Sequence, residues 1–96
     1  MTVISVTRFQ ADPADAEQVQ ARHAALVTAI RAAHPGLTEA RLGRLNEETW
    51  VGVWRWDSAA SLQAARQAAP GTPAAVAAFS VARDVMAEDI EVLAEL

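Results

Sequence analysis

Hydrophobic positions recur along the chain with two different periods. Residues 2–10 are rich in β-branched side chains and end at a turn signal, which is typical of a β-strand. Over residues 13–34 the apolar side chains recur every three or four positions, which predicts a long helix. Asp12 is suited to cap the start of this helix, and Pro35 and Gly36 end it.

The remainder of the chain predicts a hairpin, two shorter helices and a final strand. The hairpin strands cover Leu37–Leu45 and Thr49–Trp56, with three turn residues between them. Helices are predicted over Ser58–Ala69 and 73–80, because a cluster of Pro and Gly separates them. Residues 84–95 alternate between apolar and acidic side chains, which predicts the last strand.

The order of these elements is β-α-β-β-α-β, the order of a ferredoxin-like α+β fold with an antiparallel four-stranded sheet. No linker divides the chain, so residues 1–96 are predicted to form a single domain. Strands one and three are central in this topology, and both carry apolar side chains on both faces. Because the helices cover one face, we expect a second copy of the sheet to cover the other in a homodimer.

Composition and charge exclude several classes of function. The chain has 12 acidic and 8 basic residues, a net charge of −4, so we expect binding to neither nucleic acid nor an anionic membrane. The absence of Cys excludes disulfides, Cys-based zinc sites and iron–sulfur clusters. No leader-like segment or run of about 18 apolar residues is present, so a cytoplasmic protein is expected.

Three tryptophans share one face of the third strand. Trp50, Trp54 and Trp56 stand at even positions, so their indoles form one ridge. Such a ridge is suited to bind a flat aromatic molecule, and the alternative is core packing, the commoner role of large aromatic side chains. Gly52 leaves a gap in the ridge, which favours a cavity there.

His23 and Arg66 are the candidate catalytic residues. His23 lies in the apolar stripe of the first helix, so its imidazole is expected to face the sheet as a general base or as a hydrogen-bonded core histidine. Arg66 lies on an Ala-rich helix that leaves room for a pocket. Its guanidinium is suited to stabilise an oxyanion, or else it is solvated or ion-paired.

Three segments resemble the antibiotic biosynthesis monooxygenase domain. They are Asp12-Pro13 before the long helix, His34-Pro35-Gly36-Leu37 after it, and the run from Trp50 to Ser58. The resemblance covers nearly the whole chain and implies a dimeric α/β barrel with a pocket between each sheet and its helices. It also implies oxidation of polycyclic aromatic polyketides without metal or flavin, whereas other members of the family degrade heme.

The chain departs from the residue sets that this resemblance implies. Family monooxygenases place Trp, Asn, Arg and often Tyr around the substrate, but this chain has no Tyr, and its one Asn, Asn46, falls in the hairpin turn. Heme-degrading members carry a His after strand three, a region that lacks His here.

The resemblance therefore implies a cofactor-independent monooxygenase that acts on an apolar, polycyclic aromatic small molecule. His23 and Arg66 are its predicted catalytic groups, and Trp50, Trp54 and Trp56 its predicted substrate-binding wall, with no metal or other cofactor. Two alternatives remain open: a non-catalytic, ligand-binding or stress-related dimeric barrel, and a small isomerase or cyclase on the same scaffold.

Overall fold

The computed structural model describes residues 2–96 and shows one antiparallel sheet with three helices. The elements are β1 (Val3–Gln10), a 3-10 turn (Pro13–Asp15), α1 (Ala16–Ala33), β2 (Leu37–Arg44), β3 (Thr49–Trp56), α2 (Ala59–Ala68), α3 (Pro73–Phe79) and β4 (Arg83–Glu91). The sheet order is β2-β3-β1-β4, so β1 and β3 are central. The predicted ferredoxin-like α+β fold is confirmed.

Two of the element boundaries that differ from the prediction have a clear local reason. The first helix begins as a 3-10 turn, and its α-helical part starts at Ala16. The last strand ends at Glu91 and not at residue 95, because Glu91 pairs with Val3, the first residue of β1. One further backbone bond, from the N–H of Val92 to the carbonyl of Thr2, follows before the ladder ends.

Side-chain caps fix the starts of the helical segments. Asp12, Ser58 and Thr72 occupy the N-cap positions of the 3-10 turn, α2 and α3. Each side-chain oxygen accepts from a backbone N–H two or three residues further on. Such a cap stabilises a helix by about 1 kcal/mol, so these short polar residues determine where each helix begins.

The core lies between the sheet and the helices. Trp56 and Leu37, which pair across β3 and β2, are each 1% exposed. Val3 of β1 points to the same side, and α1 adds Leu26 and Ile30 to the cluster. The alternation of β3 therefore directs the tryptophan face towards the helices, as the pattern of the sequence predicts.

The opposite face of the sheet has an apolar centre and a charged margin. The register pairs Val6 with Val53 and places Ile4 beside Ile90, so these four side chains share that face. Val53 is 36% exposed and Ile90 is 49% exposed. No helix among residues 2–96 covers this face, in agreement with the predicted need for a partner.

Nothing in the helices indicates a membrane-spanning segment. Across residues 2–96, no helix combines the length and the hydropathy that crossing a bilayer requires. The cytoplasmic location and the single-domain organisation stay predictions.

Candidate functional site

A cavity of about 250 Å³ lies between the helix-facing side of the sheet and the three helices. This volume is just below the range of about 300–1,000 Å³ that is usual for small-molecule sites. The wall is almost entirely apolar: the sheet contributes Trp54 and Trp56, and the helices contribute Leu26, Ile30 and Leu62. A compact, apolar ligand suits such a wall.

Small side chains on α2 and α3 leave this space open. Ala65 and Ala69 of the α2 region and Ala75 and Ala78 of α3 all line the cavity, and Phe79 stands at its edge. Larger residues at these positions would have filled the gap between helix and sheet. The room predicted over α2 is present. The part played by α3 was not predicted, although Ala75, Ala78 and Phe79 have the spacing of one helix face.

A hydrogen bond at the cavity joins His23 to Trp54. The indole Nε1–H of Trp54 donates to Nε2 of His23 at 3.0 Å, and the two ring centroids are 5.7 Å apart in an edge-on arrangement. His23 faces the sheet because it shares the inward stripe of α1 with Val19 and Leu26, which are buried. Gly52, between the tryptophans on β3, leaves the space that the imidazole approaches.

Burial and this hydrogen bond both favour the neutral form of His23. Desolvation lowers the pKa of the imidazole below its usual value of 6.5. The Nε2 lone pair accepts the Trp54 proton, so the proton of the neutral ring resides on Nδ1. The expected role of general base requires a free lone pair, and this arrangement leaves none on the ring. A catalytic part for His23 stays a prediction.

The three tryptophans divide into two groups. Trp54 and Trp56 line the cavity, whereas Trp50 is outside its lining. Trp50 is 3% exposed, stacks on Phe9 with ring centroids 6.4 Å apart, and has the guanidinium of Arg44 5.0 Å from its ring. Its indole therefore packs in a neighbouring cluster, as the alternative of core packing predicts. Of the three tryptophans, only Trp54 and Trp56 contribute to the cavity wall, which also includes Phe9 and Phe79.

Arg66 reaches the cavity and is ion-paired there. Its guanidinium makes a two-pronged ion pair with the carboxylate of Asp89 on β4. This hydrogen bonding raises the pKa of Arg66 and lowers the pKa of Asp89. A guanidinium carries five N–H groups, and the pair occupies two of them, so further donors remain for a ligand. The oxyanion-stabilising role of Arg66 stays a prediction.

Two polar residues of β1 belong to the cavity and were missed from the sequence. Ser5 and Thr7 line it, opposite Trp54 and Gly52 in the sheet register. The hydroxyl of Ser5 accepts from Nε1–H of Trp56 at 3.3 Å, which fixes that indole. Ser5 and Thr7 stand at odd positions of β1, as Val3 does, and Val3 faces the core. This alternation could have predicted that both side chains face the helices.

The two histidines do not meet. His23 lines the cavity, whereas His34 follows the last turn of α1, where its backbone N–H donates to the carbonyl of Ile30. Within the described part of the chain, no three His, Cys, Asp or Glu side chains are grouped as metal ligands would be.

Several solved structures have a fold similar to that of this chain. SnoaB, a cofactor-independent oxygenase from Streptomyces nogalater, is 23% identical with a TM-score of 0.76, over 99% of this chain and 96% of its own. A candidate antibiotic biosynthesis monooxygenase from Caulobacter crescentus is 19% identical with a TM-score of 0.75, over 97% of this chain and 91% of its own. A dimeric ferredoxin-like protein from Jannaschia sp. CCS1 is 16% identical with a TM-score of 0.69, over 96% of this chain and 100% of its own.

Sequence comparison adds the family. None of the curated proteins matches this chain in sequence. The model of the antibiotic biosynthesis monooxygenase family matches residues 2–78, which include His23, Trp54 and Arg66. The resemblance seen in the sequence is thereby confirmed: the chain belongs to the antibiotic biosynthesis monooxygenase family.

Proposed function

We propose that this protein is a cofactor-independent monooxygenase that binds a compact, apolar aromatic molecule in the cavity and oxidises it with dioxygen. The observation that carries the proposal is the composition of the cavity wall: two indoles beside a neutral imidazole and an arginine. Indole faces bind flat aromatic rings, and the apolar wall strengthens any polar contact made inside it.

In this proposal the substrate itself supplies the electrons. An activated CH₂ group next to an aromatic carbonyl loses a proton to water, and the resulting anion transfers one electron to dioxygen. The substrate radical and superoxide combine to form a C–O bond, and the peroxide is protonated. Cleavage of the O–O bond with loss of the second C–H proton releases water, so that CH₂ and O₂ become C=O and H₂O.

Arg66 has a defined part in this scheme. Its positive charge lies at the cavity, and Asp89 holds it in place. The remaining N–H groups stabilise the negative charge that develops on superoxide and on the peroxide oxygen. Groups fixed in position before the reaction stabilise such charge without reorganisation.

We also propose that the functional unit is a homodimer formed through the open face of the sheet. The central side chains of this face, among them Val6 and Val53, are apolar, and Met86 and Ile90 extend it onto β4. A second copy of the chain removes this apolar area from water. The result is a two-fold symmetric dimer, the commonest kind of soluble oligomer. The dimeric Jannaschia protein of similar fold supports this assembly.

The second candidate function is binding of the same class of ligand without chemistry. It is favoured by the hydrogen bond between His23 and Trp54, which leaves the cavity without a free imidazole lone pair to act as a base. A binding protein needs the aromatic wall and the polar contacts, but it needs no proton acceptor.

Oxygen uptake with anthrone distinguishes the two candidates. With EDTA present, and after subtraction of the spontaneous rate, we expect one O₂ consumed for each anthrone converted to anthraquinone, with saturation kinetics. Trp54→Ala is expected to lower this activity at least tenfold, whereas Trp50→Phe, outside the cavity, retains it. Saturable binding of anthrone with no uptake above the spontaneous rate would establish the second candidate instead.

A further inference from the structure

The geometry of His23 and Trp54 points to a role that differs from acid–base chemistry. We propose that His23 is a neutral hydrogen-bond donor, which binds an acceptor oxygen of the ligand through its Nδ1–H, and that Trp54 is the residue that positions it. This inference rests on the proposed function, because it concerns the ligand of the same cavity.

Trp54 fixes which nitrogen of His23 carries the proton. An indole N–H can donate but cannot accept, so Nε2 of His23, 3.0 Å away, must present its lone pair. In the neutral ring, the single proton then resides on Nδ1. A protonated imidazolium would bring two N–H donors together at this contact, so the hydrogen bond also opposes protonation.

Nδ1 is left without a partner inside the protein. Among residues 2–96, no hydrogen bond satisfies it, yet the atom is not sealed from open space, unlike the buried Nε1 of Trp50. The ring itself lines the cavity. Among the described residues that line the cavity, only Arg66 carries a charge, and Asp89 pairs with it. In this proposal, the Nδ1–H is a neutral donor at the cavity, beside the indoles of Trp54 and Trp56.

The consequence is selectivity for a flat aromatic ligand that carries a carbonyl or hydroxyl oxygen. A donor in an apolar cavity loses its hydrogen bonds to water when the ligand enters, and an oxygen on the ligand replaces them. A hydrocarbon of the same shape leaves the donor unsatisfied, so it binds more weakly. When the proton of an adjacent C–H leaves to water, the same donor stabilises the enolate oxygen.

The tautomer of His23 is tested by nitrogen NMR of the two histidine side chains, with His34→Gln used to assign them. At pH 8, the wild-type protein is expected to show His23 with an unprotonated Nε2 and a protonated Nδ1. In Trp54→Phe, which keeps a ring but removes the donor, this preference is expected to disappear. A wild-type protein with Nε2 protonated would overturn the inference, whatever its ligand.

The selectivity is tested with 9-fluorenone and fluorene, which differ by one carbonyl oxygen. We expect the wild-type protein to bind 9-fluorenone at least tenfold more tightly, as measured by calorimetry. Two variants place an amide at the positions of the two ring nitrogens. In His23→Asn, the amide nitrogen is separated from Cα by the same number of bonds as Nδ1 of histidine. In His23→Gln, the terminal amide atoms are separated from Cα by the same number of bonds as Nε2.

The two amide variants distinguish the effect of the donor at Nδ1 from the effect of the acceptor at Nε2. His23→Asn is expected to keep most of the preference for 9-fluorenone, and His23→Gln is expected to lose it while it remains folded. Equal affinity of the wild-type protein for both probes overturns this inference and leaves the proposed function intact. If the wild-type protein binds neither 9-fluorenone nor fluorene, both the inference and the proposed function are overturned. Ketone preference without oxygen uptake from anthrone supports the inference and overturns the proposed chemistry alone.

Discussion

At the scale of single residues, Gly52 determines how much room remains beside the His23–Trp54 pair. A Cβ built on Gly52 lies 3.7 Å from Nε1 of Trp54 and 3.9 Å from Nε2 of His23, both ordinary contact distances. A methyl group is thus tolerated there, but it occupies cavity volume beside the contact that organises the site. Affinity and stability are therefore expected to respond differently to the same substitution.

Gly52→Ala is expected to lower the affinity for 9-fluorenone by about tenfold, because one methyl group in an apolar pocket changes binding by about 1–3 kcal/mol. The free energy of unfolding is expected to change by less than about 1 kcal/mol. The matched control is Gly43→Ala on β2, where a Cβ meets nothing within 4 Å. Equal loss of affinity in both variants, measured by calorimetry, would contradict the placement of the ligand beside Gly52.

The lowered pKa of His23 predicts a pH-dependent stability. The folded protein holds this imidazole with a pKa below its usual value, because the ring is desolvated, so the unfolded chain binds the proton more readily. The free energy of unfolding is expected to fall as the pH decreases below about 6.5, the pKa of an unperturbed histidine. Arg66, which also lines the cavity, is protonated throughout this range and does not titrate in it.

Urea unfolding at pH 7.5 and pH 5.5 measures this effect. His23→Gln cannot be protonated, so its stability is expected to change less between the two pH values than that of the wild-type protein. His34→Gln keeps the half-buried His23 and is the matched control. Identical pH responses in the wild type and His23→Gln would contradict a desolvated, neutral His23.

At the scale of elements, Arg66 and Asp89 join α2 to the edge strand β4 across one side of the cavity. Both side chains are more than a third exposed, so the pair is expected to contribute no more than about 1 kcal/mol to stability. We propose that this ion pair matters for catalysis, because it holds the guanidinium of Arg66 at the cavity.

Arg66→Gln is therefore expected to reduce the rate of anthrone oxidation by about 100-fold, the usual effect of removing an oxyanion-stabilising donor. The melting temperature is expected to change by only a few degrees. Arg22→Gln is the matched control: its guanidinium donates to the carbonyl of Ala77 and the hydroxyl of Ser80 on the α3 side and is absent from the cavity lining. Full activity in Arg66→Gln would show that the arginine serves only the ion pair.

The elements also show how far sequence reasoning extends. The bounds of β3 were predicted as they stand, because turn signals flank Thr49–Trp56 on both sides. The absence of Trp50 from the cavity was not predictable, since parity gives the face of a strand but not the position of a cavity along it. The contact between His23 and Trp54 spans 31 positions in sequence, so only the fold reveals it.

At the scale of the whole molecule, the uncovered face of the sheet is the proposed dimer interface. The apolar centre that β1 and β3 share on that face was readable from the sequence, because both strands are apolar on both faces. The ion pairs at the charged margin could not be predicted from the sequence. Arg55 pairs with Glu95 and Arg41 with Glu39, and these contacts depend on the strand register and on the path of the last residues.

Val53→Asp is expected to convert the homodimer into a monomer, because it places a carboxylate in the apolar centre of the proposed interface. Val76→Asp introduces the same charge on α3, where the side chain is 60% exposed and faces away from the sheet interface, and it is expected to remain dimeric. Sedimentation equilibrium at micromolar concentration measures both variants. A folded, monomeric wild-type protein at that concentration would refute the dimer.

The location of the ligand is the central claim, and the three indole N–H signals of the protein test it most directly. Each signal is assigned with a Trp→Phe variant and followed by nitrogen–proton NMR during titration with 9-fluorenone. The signals of Trp54 and Trp56, which line the cavity, are expected to shift in proportion to occupancy, with the largest change at Trp54, while Trp50 stays nearly constant. Saturable binding that moves Trp50 most, or moves none of the three signals, would contradict a ligand site in this cavity.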